Sequence, residues 1–267
     1  RFTDSAHEYT IRSLDDAARL KASLVDRPKV TIIGGGPLGM EVASGAVGLG
    51  CDVTLIHPGT PMELHLGPLL GGILTEVALE NSLKVIDSMV SSVREEGEGM
   101  AVTLTDGTEL TSDIVVTAVG DLPTTAWLEG SGLLTDGRLI ADGRCRVTDS
   151  IVAAGDVVWI DHGQGPRRTP IWTAAIEQAK VAAAALLQGE DTAPLDFQSY
   201  FWTDQWGLNL KMSGPIPQGV NPLVVKGSLD ERSAVLHWPE SGTAAALNMR
   251  MPIPRLHRLA ATEAATA

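Results

Sequence analysis

The sequence predicts an α/β protein, and three observations carry that prediction. A β-branched run, Lys29 to Ile33 (KVTII), passes without a break into Gly34-Gly35-Gly36-Pro37-Leu38-Gly39 and then into a helical stretch. A second such run, Asp52 to Ile56 (DVTLI), follows one helix length later. Farther along, residues 100–105 and 108–110 flank Asp106-Gly107, the dipeptide that favours a tight hairpin turn. Strand–helix–strand alternation implies a parallel sheet with crossover helices, and the hairpin adds a small antiparallel layer.

Ser13 before LDDAARLKASL reads as a helix N-cap, with Asp15 and Asp16 in the first turn, where the dipole favours them. Arg27-Pro28 ends that helix, and KVTII follows. The next helix spans residues 38–49, with Gly50 as a natural stop. After DVTLI, a helix is expected over residues 69–81 and a strand over 84–86. Residues 113–119 (DIVVTAV) read as a buried strand closed by Gly120. Residues 139–141 and 150–154 read as strands, the latter running into Gly155-Asp156, and residues 171–187 as a long alanine-rich helix. The tail changes character. Residues 208–212, 223–226, 234–237 and 244–249 form an expected antiparallel set punctuated by five prolines, and the final Ala/Thr stretch is expected to fray.

Composition limits the partners. In 267 residues, 44% are hydrophobic and 20% charged, so a packed core is expected and global disorder is not. The formal net charge of -13 argues against nucleic acid and against anionic lipid. Arg167 with Arg168, or Arg250, Arg255 and Arg258, are the local exceptions and read as solvated arginines. Cys51 and Cys145 form no CxxC pair, so a dithiol centre within the chain is not expected and a reduced, cytoplasmic setting is. No apolar run reaches the ~20 residues that span a bilayer. His7, His65, His162, His237 and His257 have no metal-ligand spacing, and no residue is assigned as a catalytic acid or base.

Gly34-x-Gly36-x-x-Gly39 lies between an expected strand and an expected helix, the setting in which this fingerprint carries meaning. The first glycine permits the tight turn, the second lets backbone approach a pyrophosphate, and the third lets helix and strand pack closely. With Pro37 and Leu38 it places free helix amides and a partial positive charge at the phosphates. A nicotinamide dinucleotide on a Rossmann-like domain is the expected ligand. The end of the second strand, where an Asp or Glu reads the adenosine ribose, is His57. His57 is either a ribose contact or a plain loop residue, and NAD versus NADP stays open.

Three motifs in order extend this. GGGPLGME places Glu41 after the glycine loop, VVTAVGDLP places Gly120 and Pro123 after a strand, and TDSIVAAGDV ends in Gly155-Asp156. Together they resemble the pyridine nucleotide flavoprotein reductases, the superfamily of ferredoxin, rubredoxin and disulfide reductases. RSLDDAARLKASL and YFWTDQWGLNLKMSG resemble segments of its ferredoxin reductase-like members. The resemblance covers residues 9–258. It implies FAD and NAD(P)H as cofactors, hydride transfer from nicotinamide to flavin, and a ferredoxin-type electron carrier as acceptor. It further implies that Gly34, Gly36 and Gly39 take the pyrophosphate. Glu41 would face the nicotinamide, and Gly120 and Pro123 would line that cleft. Asp156 would bind the flavin's ribityl chain beside Gly155, and Trp172 would lie by the flavin ring unless it is a core residue.

The resemblance also implies four segments. Residues 1–26 end an FAD domain, 27–146 bind NAD(P), 147–195 return to the FAD domain, and 196–267 form a small α+β C-terminal domain. The FAD domain's own glycine loop is absent, since the chain has one GxGxxG. A companion chain or an N-terminal segment supplying it is expected. The remaining alternative is a degenerate relative that holds no flavin. Family members also carry Glu and Asn two residues before and after the position of Trp172, where this chain has Pro170 and Ala174. Against an NAD(P)H-dependent flavoprotein oxidoreductase stand two other readings: an inactive nucleotide-binding or assembly subunit, and a self-contained dehydrogenase. The last leaves the AGD motif and the FWTDQW segment without a purpose.

Overall fold

Strand β1 (Glu8–Tyr9) leads into helix α1 (Leu14–Ser23) in the computed structural model, which describes residues 1–217 and 221–262. Ser13 caps α1 as expected. Its hydroxyl accepts from the Asp16 amide while the Asp16 carboxylate accepts from the Ser13 amide, a reciprocal box that satisfies two otherwise free donors. Then come β2 (Lys29–Ile33), α2 (Pro37–Gly48), β3 (Asp52–Ile56), α3 (Glu63–Glu80) and β4 (Lys84–Ile86). Next are β5 (Val90–Glu96), β6 (Gly99–Leu104), β7 (Glu109–Ser112) and β8 (Ile114–Thr117).

The main sheet has the order β1-β8-β2-β3-β4 and is parallel throughout. Its central strands are apolar on both faces, as a sheet covered on both sides requires; Val30, Ile32, Val53, Leu55, Val115 and Val116 are all buried. The order reverses at β2, which lies between β3 and β8. Ligands of open α/β sheets bind at the strand carboxyl ends beside such a reversal, and here those ends carry Gly34, His57 and Ala118.

The hairpin forms at Asp106-Gly107, with the Asp106 carboxylate accepting from the Thr108 amide (2.9 Å). It belongs to a three-stranded sheet, β5-β6-β7. The polar run VSSVREE was not expected to be a strand, because only Val93 of β5 is buried and no alternation shows. Helix α3 contains the stretch expected from residue 69 and adds before it a turn from Glu63 that was not expected. Gly67 (φ 77, ψ 170) is not helical and, with Pro68, divides that short turn from the helix that was expected.

The described residues form two units, Arg1–Gly120 with the chain from Trp202 onward, and Asp121–Phe201. In the second, β9 (Leu134–Thr135), β10 (Arg138–Asp142), β13 (Val158–Asp161) and β14 (Pro166–Arg167) form a sheet of order β14-β13-β10-β9. A pair, β11 (Arg146–Thr148) with β12 (Ile151–Val152), and helix α4 (Trp172–Gln188) complete it. The first unit thus ends at Gly120, and within the second β10 pairs with β13 in register from Leu139 to Asp142.

Strands β15 (Tyr200–Gln205), β16 (Leu208–Ser213), β17 (Leu223–Ser228), β18 (Ser233–Trp238) and β19 (Thr243–Leu247) form one sheet in the order β15-β16-β19-β18-β17; β16 to β19 are the expected set, and β15 was not expected. A terminal helix, α5 (Ile253–Ala260), was not expected. Ile253, Leu256 and Ala260 fall on one face of it, and Leu256 and Ala260 are buried. The last five residues of the tail expected to fray lie outside the described residues. Among the described residues no helix is long and apolar enough to cross a membrane.

Candidate functional site

The glycine loop joins β2 to α2, and its shape follows from what a side chain would meet there. Gly34 has φ +109, and a Cβ on it would lie 2.2 Å from the Ala118 carbonyl oxygen. A Cβ on Gly39 would lie 1.9 Å from the carbonyl oxygen of Gly34. Both positions therefore admit only glycine. The Gly34 amide donates to the Ile56 carbonyl (2.9 Å), tying the loop to β3. Gly36 is the N-cap of α2 in extended backbone with no side-chain cap, and Pro37 sits at the first helical position, where its missing N–H costs nothing. The amides of Leu38 and Gly39 lie in the first turn, where an α-helix offers them no carbonyl. They are available to an anion, and the cradle fits a dinucleotide's pyrophosphate.

Around the loop stand the other expected residues of the first unit. His57 follows β3, with its ring against Gly35; a Cβ on Gly35 would lie 2.7 Å from His57 Cγ. Burial holds the His57 pKa below the usual imidazole value, while the Asp87 carboxylate pulls it part of the way back. Gly120, at φ +98, lies just past the end of β8. Glu41 is exposed, and its carboxylate accepts from the buried Thr203 hydroxyl of β15 (2.6 Å). The Thr203 oxygen in turn accepts from Gln205 Nε2 (2.9 Å), and the Trp206 amide donates to Ser44 Oγ of α2 (2.8 Å). The segment after Phe201 thus fastens the first turns of α2.

The second unit carries Pro123, Gly155, Asp156 and Trp172. Gly155, at φ +87, donates its amide to Gln178 Oε1 of α4 (2.7 Å), and Gln178 is buried. The Asp156 carbonyl accepts from Arg168 Nη1 (2.9 Å), and the same guanidinium pairs with the Asp121 carboxylate, two residues before Pro123. Arg168 is thus not the solvated arginine expected of it; its side chain is 12% exposed. Trp172 opens α4 and is 69% exposed, so a core role is ruled out among the described residues. Ile176, Leu186 and Leu187 are exposed along the same helix. Ala174 is buried at 1% and Pro170 is exposed, so neither restores the missing Glu and Asn.

Sequence reasoning missed His65, Thr203, Gln178 and Arg168 as site neighbours. For His65 the signal was hidden by the Gly67-Pro68 break; for the others, no local pattern marks a side chain whose partner is far along the chain. Among the described residues no group of three His, Cys, Asp or Glu side chains is placed to hold a metal ion.

The sequence profile described as "Pyridine nucleotide-disulphide oxidoreductase" matches residues 4–184. The 3-phenylpropionate/cinnamic acid dioxygenase ferredoxin–NAD(+) reductase component of Photorhabdus laumondii is 31% identical over 265 residues, 96% of this chain and 66% of that protein. The anthranilate 1,2-dioxygenase system ferredoxin–NAD(+) reductase component of Burkholderia cepacia is 33% identical, over 80% of this chain and 53% of its own length. Among solved structures, the ferredoxin reductase for the CYP199A2 system of Rhodopseudomonas palustris superposes with a TM-score of 0.81 at 24% identity, covering 93% of this chain and 64% of its own. The chain thus spans between about half and two thirds of the proteins it matches.

Proposed function

The chain belongs to the pyridine nucleotide-disulphide oxidoreductase family, and from that premise we propose that it is the donor-binding portion of a ferredoxin reductase-like flavoprotein using NAD(P)H and FAD. The observation that carries this reading is the glycine loop: it has room for no side chain at Gly34 or Gly39 and presents the Leu38 and Gly39 amides at a sheet reversal. Gly36, Pro37 and these amides hold the pyrophosphate. Glu41, steadied by Thr203, borders the nicotinamide with Gly120 and Pro123. Gly155 and Asp156 hold the flavin's ribityl chain on a turn kept in shape by Gln178 and Arg168, with Trp172 beside the ring. The flavin, when bound, accepts hydride from the nicotinamide and releases electrons singly. The chain's part is positioning, which accounts for the absence of an assigned acid or base. The acceptor in this reading is a ferredoxin-type carrier.

The division into an FAD-domain end (1–26), an NAD(P) domain (27–146), a returning FAD segment (147–195) and a C-terminal domain (196–267) belongs to the same reading. So does a companion chain or segment bearing the FAD glycine loop. The exposed apolar side chains of α4 support it, since water-exposed apolar stretches mark surfaces that another segment covers. A second reading, a nucleotide-binding subunit without turnover, is favoured by Pro170 and Ala174 beside Trp172.

The test is reconstitution with the N-terminal FAD segment of a full-length relative. A yellow complex that reduces a dye with NADH or NADPH supports the enzyme. Dinucleotide binding without flavin or turnover supports the subunit, and no dinucleotide binding by the folded chain overturns both.

A further inference from the structure

The space in front of the glycine loop holds two imidazoles, and only one comes from the strand end where a nucleotide-reading residue is expected. The other is His65. Met62, in the left-handed region at φ 65, donates its amide to the Gly35 carbonyl (2.8 Å) and so launches the first turn of α3 directly off the loop. That turn, on the near side of the Gly67 kink, sets His65 beside Gly36. A Cβ on Gly36 would lie 3.4 Å from His65 Cε1 and 3.9 Å from Nε2, as a Cβ on Gly35 would lie 2.7 Å from His57. The two rings thus flank Gly35 and Gly36, the latter being the glycine whose backbone approaches the pyrophosphate. The Asp87 carboxylate, which accepts from the Gly59 amide (2.8 Å), acts electrostatically on His57, and His57 acts on His65.

We propose that His65, paired with His57, grips a phosphate of the bound dinucleotide by taking up a proton, which makes donor binding proton-linked. The inference rests on the dinucleotide reading above and goes beyond it. In the free chain, burial and then the neighbouring His57 hold His65 below the usual imidazole value, so the pair does not repel itself near neutral pH. A phosphate reverses that balance, because it favours the charged form of each ring, and a protonated imidazole donates from both nitrogens. A permanently charged arginine pair would lack this dependence. The phosphate is either the pyrophosphate, common to both dinucleotides, or the 2′-phosphate of NADP alone.

Calorimetric titration of the full chain with NAD+ and NADP+ at pH 6, 7 and 8, in two buffers of different ionisation enthalpy, tests this. The expected result is proton uptake on binding and an affinity that rises, as pH falls, by up to about tenfold per pH unit for each proton taken up. H65Q should lose much of that gain at pH 6 and so show a flatter dependence of affinity on pH. A slope shared by both dinucleotides assigns the contact to the pyrophosphate; a slope for NADP+ alone assigns it to the 2′-phosphate. Binding with no proton uptake, or an undiminished slope in H65Q, overturns the inference and leaves the dinucleotide reading standing. No binding of either dinucleotide by the unaltered, folded chain overturns both. Should H65Q fail to fold, the His65 ring-proton resonance of the unaltered chain serves instead. It should move toward the imidazolium position on saturation at pH 7, and an unmoved resonance overturns the proposal.

Discussion

The glycine loop of the first unit and the Gly155-Asp156 turn of the second are both glycine turns proposed to meet a nucleotide cofactor, yet they are held in opposite ways. At Gly34 and Gly39, backbone lies against backbone, and an added methyl would sit 2.2 Å and 1.9 Å from carbonyl oxygens. At Gly155 there is room: the nearest atom to an added Cβ is the Ala175 methyl at 3.9 Å. That turn is shaped by two distant side chains, Gln178 on its amide and Arg168 on the following carbonyl. A turn fixed by contact tolerates no side chain. A turn fixed by hydrogen bonds tolerates one but depends on its partners.

The largest expected effect comes from exchanging small residues at the two turns. Gly39→Ala forces the α2 end of the loop away from Gly34. It should cost about 3 kcal/mol, in the range of overpacking, and abolish NAD+ binding. Gly155→Ala meets only the strain of φ +87, about 1–2 kcal/mol. Urea unfolding of both variants measures the difference, and equal losses would break the comparison.

The same contrast explains what was legible in the sequence. Glycine spacing is written into the chain because sterics at Gly34 and Gly39 permit one residue type, so loop, strand and helix could all be read from it. KVTII, DVTLI and IVVT show as strands because the parallel sheet buries both of their faces. β5 does not show, because one buried valine leaves no pattern. Arg168 and Gln178 were not legible because their roles depend on tertiary placement: Arg168 acts on Asp121, 47 residues away, and Gln178 on Gly155, 23 away. His65 fell between the two cases, since its helical turn is local but lies before a Gly-Pro pair that ordinarily ends helices.

Next in size is the removal of a partner at the second turn. Arg168→Ala deletes a charge-assisted bond to the Asp156 carbonyl and the pairing with Asp121, for an expected loss of about 1.5–3 kcal/mol. Because the guanidinium acts on the turn's backbone, NAD+ binding by the glycine loop should be unchanged. A joint loss of stability and NAD+ affinity in R168A would contradict independent construction of the two turns.

A smaller effect, present at neutral pH and lost in acid, sharpens the comparison from the side of the first unit. Glu8 is buried on β1, and burial opposes its charge. Hydrogen bonds from Thr117, the Phe2 amide and Thr3 outweigh that and leave its pKa below the ordinary carboxylate value. A depressed folded pKa means that Glu8 stabilises the fold above the unfolded value, about 4.3, and that this contribution fades as pH falls through the folded one. E8Q should therefore unfold at lower urea than the unaltered chain at pH 7, with the gap narrowing below about pH 4. A gap independent of pH would show that Glu8 acts through shape alone.

The smallest expected effect asks whether the glycine loop is self-sufficient within its own unit. Glu41 is exposed, and its carboxylate accepts from the buried Thr203 hydroxyl. Thr203→Val keeps the volume, removes that donor and leaves Gln205 Nε2 without its acceptor, a loss of about 1 kcal/mol. The Leu38 and Gly39 amides that face the pyrophosphate belong to backbone fixed by the contact of Gly34 with Ala118 and of Gly39 with Gly34. NAD+ affinity in T203V should thus stay within about twofold, less than 0.5 kcal/mol. Stability, read by urea midpoint, should fall. If affinity falls with it, the cradle is not made by backbone sterics alone but leans on the segment after Phe201. The glycine loop would then resemble the Gly155 turn more closely than its geometry implies.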